Sequence, residues 1–176
     1  MNRELPTLRA QRIVLRALHA DDAAVLADLV TRPEVARWWG SRPDDVEHHR
    51  AGFVADAAGN DAFAIEVDGR LAGWLGVYEE DEPDYRHAGL DIFLDPAIHG
   101  AGLGPQALRM AAAWLIGECG HHRLIIDPAA ANERAIAVYE SIGFRSVGIM
   151  RAYERGADGH WHDALLMDML ADELRG

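Results

Sequence analysis

The chain has 176 residues, 49% of them hydrophobic, with 29 acidic against 17 basic side chains and a formal net charge of −12. That length and apolar content fit one domain, residues 1–176, with a substantial core; no Ser/Gly/Pro-rich linker, charge block or internal repeat divides it. The acidic balance argues against a nucleic-acid partner, which needs a basic face, and permits a polycationic substrate drawn to an acidic cleft, although plain solubility explains the charge as well.

Met1 to Thr7 lacks the basic-then-apolar layout of a signal peptide. Arg12 to Leu18 alternates apolar and polar residues and reads as a first strand. His19-Ala20-Asp21-Asp22 then opens a helix running to about Val30, with acidic residues at its positive end. Pro33 restarts the chain for a short helical piece ending near Trp38-Trp39-Gly40, and Pro43-Asp44-Asp45 starts a helix to about Ala58. Strands over Ala62 to Val67 and Leu71 to Tyr78 flank Asp68-Gly69, a two-residue hairpin signal. Ala88 to Leu94 completes that meander and stops at Asp95-Pro96.

A glycine-rich turn, His99-Gly100-Ala101-Gly102-Leu103-Gly104, follows, with Pro105 at the first position of a helix to about Gly117. The apolar run in that helix, Ala111 to Ile116, is far too short to span a bilayer. The single cysteine, Cys119, excludes an intrachain disulfide and reads as a buried structural thiol of a cytoplasmic protein. Arg123 to Asp127 is a short buried strand, Asn132 to Ile142 a helix stopped by Gly143, and Arg145 to Glu154 with Trp161 to Leu170 a closing hairpin around Asp158-Gly159. Strand–helix–strand in the middle and hairpins on either side imply a mixed α/β (α+β) fold with helices on both faces of the sheet.

Two segments concentrate the chemistry. Glycines where a strand hands over to a helix let the backbone approach a ligand closely, and the free N–H groups of the helix start suit a pyrophosphate. Asn132-Glu133-Arg134-Ala135 and Tyr139-Glu140-Ser141-Ile142-Gly143-Phe144 form the second segment. Together with the element order they resemble the GNAT superfamily of acyl-CoA-dependent N-acetyltransferases. That family's pyrophosphate turn reads Gln/Arg-x-x-Gly-x-Gly/Ala, and its later segment Asn-x-x-Ala followed by Tyr-Glu-x-x-Gly-Phe. Two departures stand in the turn: His99 replaces the usual Gln or Arg, and Ala101 removes a common basic side chain.

The resemblance implies the GNAT fold, a mostly antiparallel central sheet flanked by helices, and acetyl-CoA as cofactor. It implies a cofactor site of Ile92, Phe93 and Leu94 on the fourth strand, His99, Gly100, Ala101, Gly102, Leu103, Gly104 and Gln106 at the turn, and Asn132, Ala135 and Tyr139 on the later helix. The pyrophosphate would rest on the N–H groups of Gly102, Leu103, Gly104 and Gln106. Amides around Phe93 and Leu94 would polarise the thioester carbonyl.

Within the superfamily, Arg32-Pro33-Glu34-Val35 leading into Trp38-Trp39-Gly40, Gly89-Leu90-Asp91 and Ile126-Asp127-Pro128 resemble aminoglycoside 6'-N-acetyltransferases. The tryptophan and Gly-Leu-Asp features also occur in siderophore lysine N-acyltransferases. The aminoglycoside resemblance implies a primary-amine acceptor on a polycationic small molecule, Trp38, Trp39, Asp91 and Asp127 around it, Asp91 and Tyr139 in catalysis, and a role in antibiotic resistance. Acylation of a protein N-terminus, a protein lysine or a siderophore lysine is an alternative, and an acyl-CoA-binding sensor a non-enzymatic one.

Each site residue also has a plain structural reading. Asn132, Ile136 and Tyr139 share a helix face, so Asn132 reads as a cofactor ligand, an N-cap or both, and Tyr139 as a general acid or a core aromatic. Asp91 lies on the strand face opposite Leu90, Ile92 and Leu94, so it is an amine-binding base or a solvated residue. Asp127-Pro128 borders the sheet crevice as a ligand for an ammonium group, or merely starts a turn. Adjacent tryptophans point in different directions, which predicts one in the core and one in the cleft. The tandem histidines His48-His49 and His121-His122 lack a metal-ligand framework, so no metal is expected. Glu79 to Glu82 reads as a solvated acidic loop. Monomer and homodimer both fit the sequence.

Overall fold

The computed structural model describes residues 4–176; Met1 to Arg3, the start of the segment read as lacking a signal peptide, lie outside the described residues. A two-residue strand β1 (Leu8–Arg9) precedes β2 (Ile13–Ala17), whose Ile13 and Leu15 are fully buried while the residues between them are not. A 3₁₀ turn leads into α1 (Ala23–Val30). Arg16 ties that entry to the sheet: its guanidinium donates to both oxygens of Asp22 at 2.7 and 2.8 Å and to Glu66 at 2.7 Å. Two further helices follow, α2 (Pro33–Ala36) and α3 (Val46–Gly59). The last starts three residues after Pro43, because Asp45 first closes a turn by accepting the N–H of Arg42 at 2.8 Å.

Next come β3 (Ala62–Val67), β4 (Arg70–Glu80) and β5 (His87–Leu94), with Asp68 and Gly69 both at positive φ as a tight hairpin requires. They are followed by α4 (Leu103–Gly117), β6 (Arg123–Ile126), α5 (Glu133–Ile142), β7 (Arg145–Arg155) and β8 (Trp161–Leu170). Helix α4 begins two residues before Pro105. The proline is therefore third in the helix rather than first, and its missing N–H still falls among the first-turn donors that have no intrahelical acceptor.

The eight strands form one sheet in the order β1-β2-β3-β4-β5-β6-β8-β7, antiparallel at every step except between β5 and β6. Alternation along the strands divides the core. Phe63, Ile65, Leu75, Leu90 and Leu94 face α4 and α5, whereas Ala62, Ala64, Trp74 and Phe93 face α1 and α3. The second face is held by aromatics: Trp39 meets Trp74 and Phe93 edge-on at 5.5 and 5.2 Å, and Trp74 stacks on Phe93 at 5.9 Å. Gly76 belongs to this arrangement, since a Cβ there would lie 2.3 Å from the Trp74 ring. The fold expected from the sequence is present, and β1 is the strand that sequence patterning missed. No helix among the described residues is long and apolar enough to cross a membrane.

Because Trp74 is 5% exposed and touches three other aromatic side chains, Trp74→Ala should cost about 3–5 kcal/mol. Urea unfolding followed by circular dichroism measures that loss directly.

Candidate active site

Strands β5 and β6 pair over two positions only, Ala88 with Leu124 and Gly89 with Ile125. Beyond them the strands part, and a cleft of about 930 Å³ opens between Asp91 to Leu94 on one side and Ile126 to Ala129 on the other. Asp95 donates its N–H to Ala72 of the β4 side at 2.7 Å, which fixes the alternation along β5. The amides of Asp91 and Phe93 therefore bond to β4, and those of Ile92 and Leu94 face the opening. Of the pair read as carbonyl donors, Leu94 is the one so placed; Phe93 is turned into the sheet, and Ile92 takes its place.

The glycine turn borders the α4–α5 end of this cleft. Gly100 and Gly102 have φ of +83° and +75°, a conformation that favours glycine, and Gly102 caps α4. His99 bonds through Nε2 to the Leu94 carbonyl at 3.0 Å and so fastens the turn to the end of β5. The amides of Gly102, Leu103 and Gly104 lie in the unsatisfied first turn of the helix. Two residues of the expected set differ. Gln106 donates its N–H to Gly102 at 3.4 Å and Ala101 donates to Ile98 at 3.4 Å. Neither residue lines the cleft: α4 starts earlier than the sequence suggested and encloses the Gln106 amide, and the Ala101 amide turns back onto the segment before the helix.

Asn132, Ala135 and Tyr139 line the cleft from α5. Asn132 is the N-cap: its Oδ1 accepts the Ala135 N–H at 3.2 Å, which leaves its side-chain N–H₂ group free of that task. Tyr139 is 8% exposed, and burial, followed by the charges of Asp91 and Asp127, pushes its phenol upward. Both tryptophans line the cleft. Trp39 also packs on Trp74 and Phe93, while Trp38 carries the Arg37 guanidinium 4.5 Å above its ring. Arg32, at the entry to α2, bonds Asp95 at 2.9 Å and fixes this segment against the end of β5.

The far end is acidic. Burial first, then the charges of Asp127 and Glu154, against an opposing 3.1 Å hydrogen bond from the Tyr78 hydroxyl, together raise the Asp91 carboxyl to about 7. Asp91 is half-buried and held by Tyr78 rather than free in solvent. Glu154 is also raised, first by burial and then by Asp127. Tyr153 bonds Asp127 and is pushed up to about 12.

Sequence reasoning missed Glu154, Tyr153, Tyr78 and Arg134. The first two reach the cleft through a β-bulge between Met150 and Glu154, where Ala152 adopts φ +51° and donates its N–H to Asp163 at 2.8 Å. No regular alternation signals that step. Tyr78 lies diagonally across from Asp91, opposite Gly89. Arg134 overhangs the glycine turn, its Nη2 3.8 Å from where a Gly100 Cβ would stand; its place in the Asn132 segment was the available signal.

Other residues singled out by the sequence lie elsewhere. His121 is buried and bonds Glu79 at 2.6 Å, while Glu79 to Glu82 are exposed, the first two at the end of β4 and the others in the loop beyond it. Cys119 is buried. Among the described residues, no group of three or more His, Cys, Asp or Glu side chains converges as a metal site.

Residues 12–145 match a family model described as an acetyltransferase (GNAT) domain. The chain belongs to the GNAT acetyltransferases. Within this family it is 24% identical over 161 residues to spermidine N(1)-acetyltransferase of Escherichia coli K12, covering 90% of this chain and 86% of that one. It is 28% identical over 153 residues to aminoglycoside N(6')-acetyltransferase type 1 of Klebsiella pneumoniae, covering 77% and 75%. Among solved structures, Mycobacterium smegmatis RimJ in complex with CoA-disulfide superposes with a TM-score of 0.76 at 24% identity, covering 93% of this chain and 84% of that one. Acetyl-CoA is accordingly the cofactor of this GNAT domain. The turn fits it: close-approach glycines and first-turn amides suit a pyrophosphate.

Asp91 carries a stability signature. Its carboxyl titrates near 7 when folded and near 3.8 otherwise, so the folded state binds the extra proton between those values. Stability attributable to this group then falls as pH rises from about 4 to 7. Asp91→Asn should therefore raise the melting temperature at pH 8 and change it much less at pH 4, which thermal melts at the two pH values would test.

Proposed function

We propose that this GNAT enzyme transfers acetyl from acetyl-CoA to a primary amine of a polycationic small molecule in the cytoplasm, with the 6'-amino group of an aminoglycoside as the leading acceptor. The observation that carries the reading is the convergence of Asp91, Asp127 and Glu154 at one end of the cleft, each of the outer two raising the pKa of Asp91. Half-buried carboxylates that repel one another gain most from a ligand bearing several ammonium groups. Trp38 and Trp39 add flat walls for a ring or an aliphatic chain. The spermidine and aminoglycoside relatives, both named for amines that carry several positive charges, support the class; the motifs around Trp38, Asp91 and Asp127 favour the aminoglycoside.

Acetyl-CoA supplies an activated acetyl thioester. Gly102, Leu103 and Gly104 offer backbone donors to its pyrophosphate, and the Arg134 guanidinium supplies the charge that Ala101 lacks. The Asn132 side-chain N–H₂ group faces the amide arm. Asp91, with a carboxyl near neutrality, binds the acceptor ammonium and takes its proton. Asp127 and Glu154 hold the remaining positive charge. The Ile92 and Leu94 amides stabilise negative charge on the carbonyl oxygen, and Tyr139 keeps a protonated hydroxyl at the sulfur. Attack is direct, since neither Cys119 nor a serine lines the cleft beside a base.

Free thiol released from acetyl-CoA should appear with kanamycin and tobramycin, and a 6'-acetylated product should follow. Turnover restricted to spermidine would move the acceptor to linear polyamines; turnover restricted to a basic peptide or a lysine derivative would overturn the small-polycation reading. Silence on every amine with acetyl-CoA still bound would favour a sensor. Asp91→Asn should lower kcat about 10²–10⁴-fold and remove the acidic limb of the pH profile near 7. Tyr139→Phe should lower kcat while CoA affinity, measured by calorimetry, is retained.

A further inference from the structure

Beyond Trp39 the protein has a second hollow, lined by Trp39, Arg42, Asp45, His48, His49 and Arg155. Its sign is the reverse of the acetyl-transfer cleft. Strand alternation produces that reversal: Glu154 and Arg155 are neighbours on β7, so Glu154 enters the acidic cleft while Arg155 enters the second hollow. Gly40 makes the arrangement possible, because a Cβ there would stand 2.9 Å from the Arg155 carbonyl oxygen. The segment between α2 and α3 thus packs directly on the end of β7.

The two guanidiniums are positioned but not neutralised. Arg42 donates through Nε to the Ala157 carbonyl and Arg155 through Nε to the Gly159 carbonyl, both at 3.2 Å. Those bonds fix each fork and leave its terminal nitrogens uncommitted; among the described residues neither arginine forms an ion pair. Asp45, the only carboxylate lining the hollow, already accepts the Arg42 backbone N–H. His48 and His49 meet edge-on at 5.7 Å, and His49 stacks on Phe53. The Nε2 atom of His49 is buried and has no hydrogen-bond partner among the described residues. A sheltered ring nitrogen beside two oriented guanidiniums is a donor set that lacks its acceptor.

We propose that this hollow binds a compact oxyanion, a carboxylate or phosphate group, between Arg42, Arg155 and the imidazole of His49. Bound there, the anion bridges the α2–α3 segment to the β7–β8 turn. The first segment also carries Trp38 and Trp39, and Glu154 lies on β7 just before the turn, so occupancy steadies the acidic end of the neighbouring cleft. The proposal stands independently of which amine is acetylated.

The test is an NMR titration of the imidazole C–H resonances, assigned with His48→Gln and His49→Gln. Sodium phosphate and sodium succinate are added separately at fixed pH and ionic strength. Saturable shifts of the His49 resonance are expected with at least one of them. Tighter binding of phosphate identifies a phosphate site, and tighter binding of succinate a carboxylate site. Arg42→Gln and Arg155→Gln should each weaken that binding about tenfold. Thermal melts check that both variants remain folded; if Arg155→Gln disturbs the hairpin, Arg42→Gln alone decides. Shifts that never saturate, or that persist unchanged in a folded Arg42→Gln protein, overturn the proposal.

Discussion

Everything functional in this molecule depends on the parting of β5 and β6 after two paired positions. A continuous sheet would satisfy its backbone groups internally and close the slot between its faces. Here the Ile92 and Leu94 amides of β5 are directed into open space, and Asp127-Pro128 carries the end of β6 away. The slot joins two surfaces that the sheet otherwise separates. One bears the glycine turn and α5, suited to the cofactor; the other bears Asp91, Trp38 and Trp39, suited to the acceptor. A GNAT reaction needs a cofactor and an acceptor to meet, and this gap is the opening that connects the two surfaces.

The acceptor end is held in a state that folding alone would disfavour. Three carboxylates share a partly enclosed space, and burial of Asp91 opposes its ionisation. What sustains the cluster is the aromatic packing behind it, where Trp39, Trp74, Phe93 and Phe53 form a rigid floor, together with the Arg32–Asp95 pair that pins the tryptophan segment to the end of β5. A core of this kind absorbs local electrostatic cost because its own burial is large. The same cost becomes a source of affinity once a cationic ligand enters.

Charge is also sorted over short distances. Across the Trp39 wall an acidic cleft faces a basic hollow, and the boundary runs between two consecutive residues of β7. Elsewhere in the chain arginines screen carboxylates, as Arg12 does Asp68 and Arg123 does Asp168. Here Arg42 and Arg155 are oriented by carbonyl bonds beside a sheltered histidine nitrogen, and Arg134 is kept over the glycine turn. Each cation stands where an anion is expected.

Much of this was legible in the chain itself. The hairpin at Asp68-Gly69, the glycine turn, the Asn132 cap and the Gly143 stop are local events governed by backbone sterics and capping bonds, so neighbouring residues suffice to specify them. Motifs that resemble known acetyltransferases pointed to Asp91, Asp127, Trp38, Trp39 and Tyr139, and the structure brings all five to one cleft. What only the tertiary structure decided is non-local. The bulge at Ala152 brings Tyr153 and Glu154 into the cleft through a bond to Asp163 on another strand. The direction of the Ile92 and Leu94 amides follows from the register with β4, and the early start of α4 ties the Gln106 amide into the helix. The bond from buried His121 to Glu79 likewise joins residues 42 positions apart. Sequence spacing determines which residues share an element's face; which faces meet, and at what charge, depends on contacts between elements that no local pattern records.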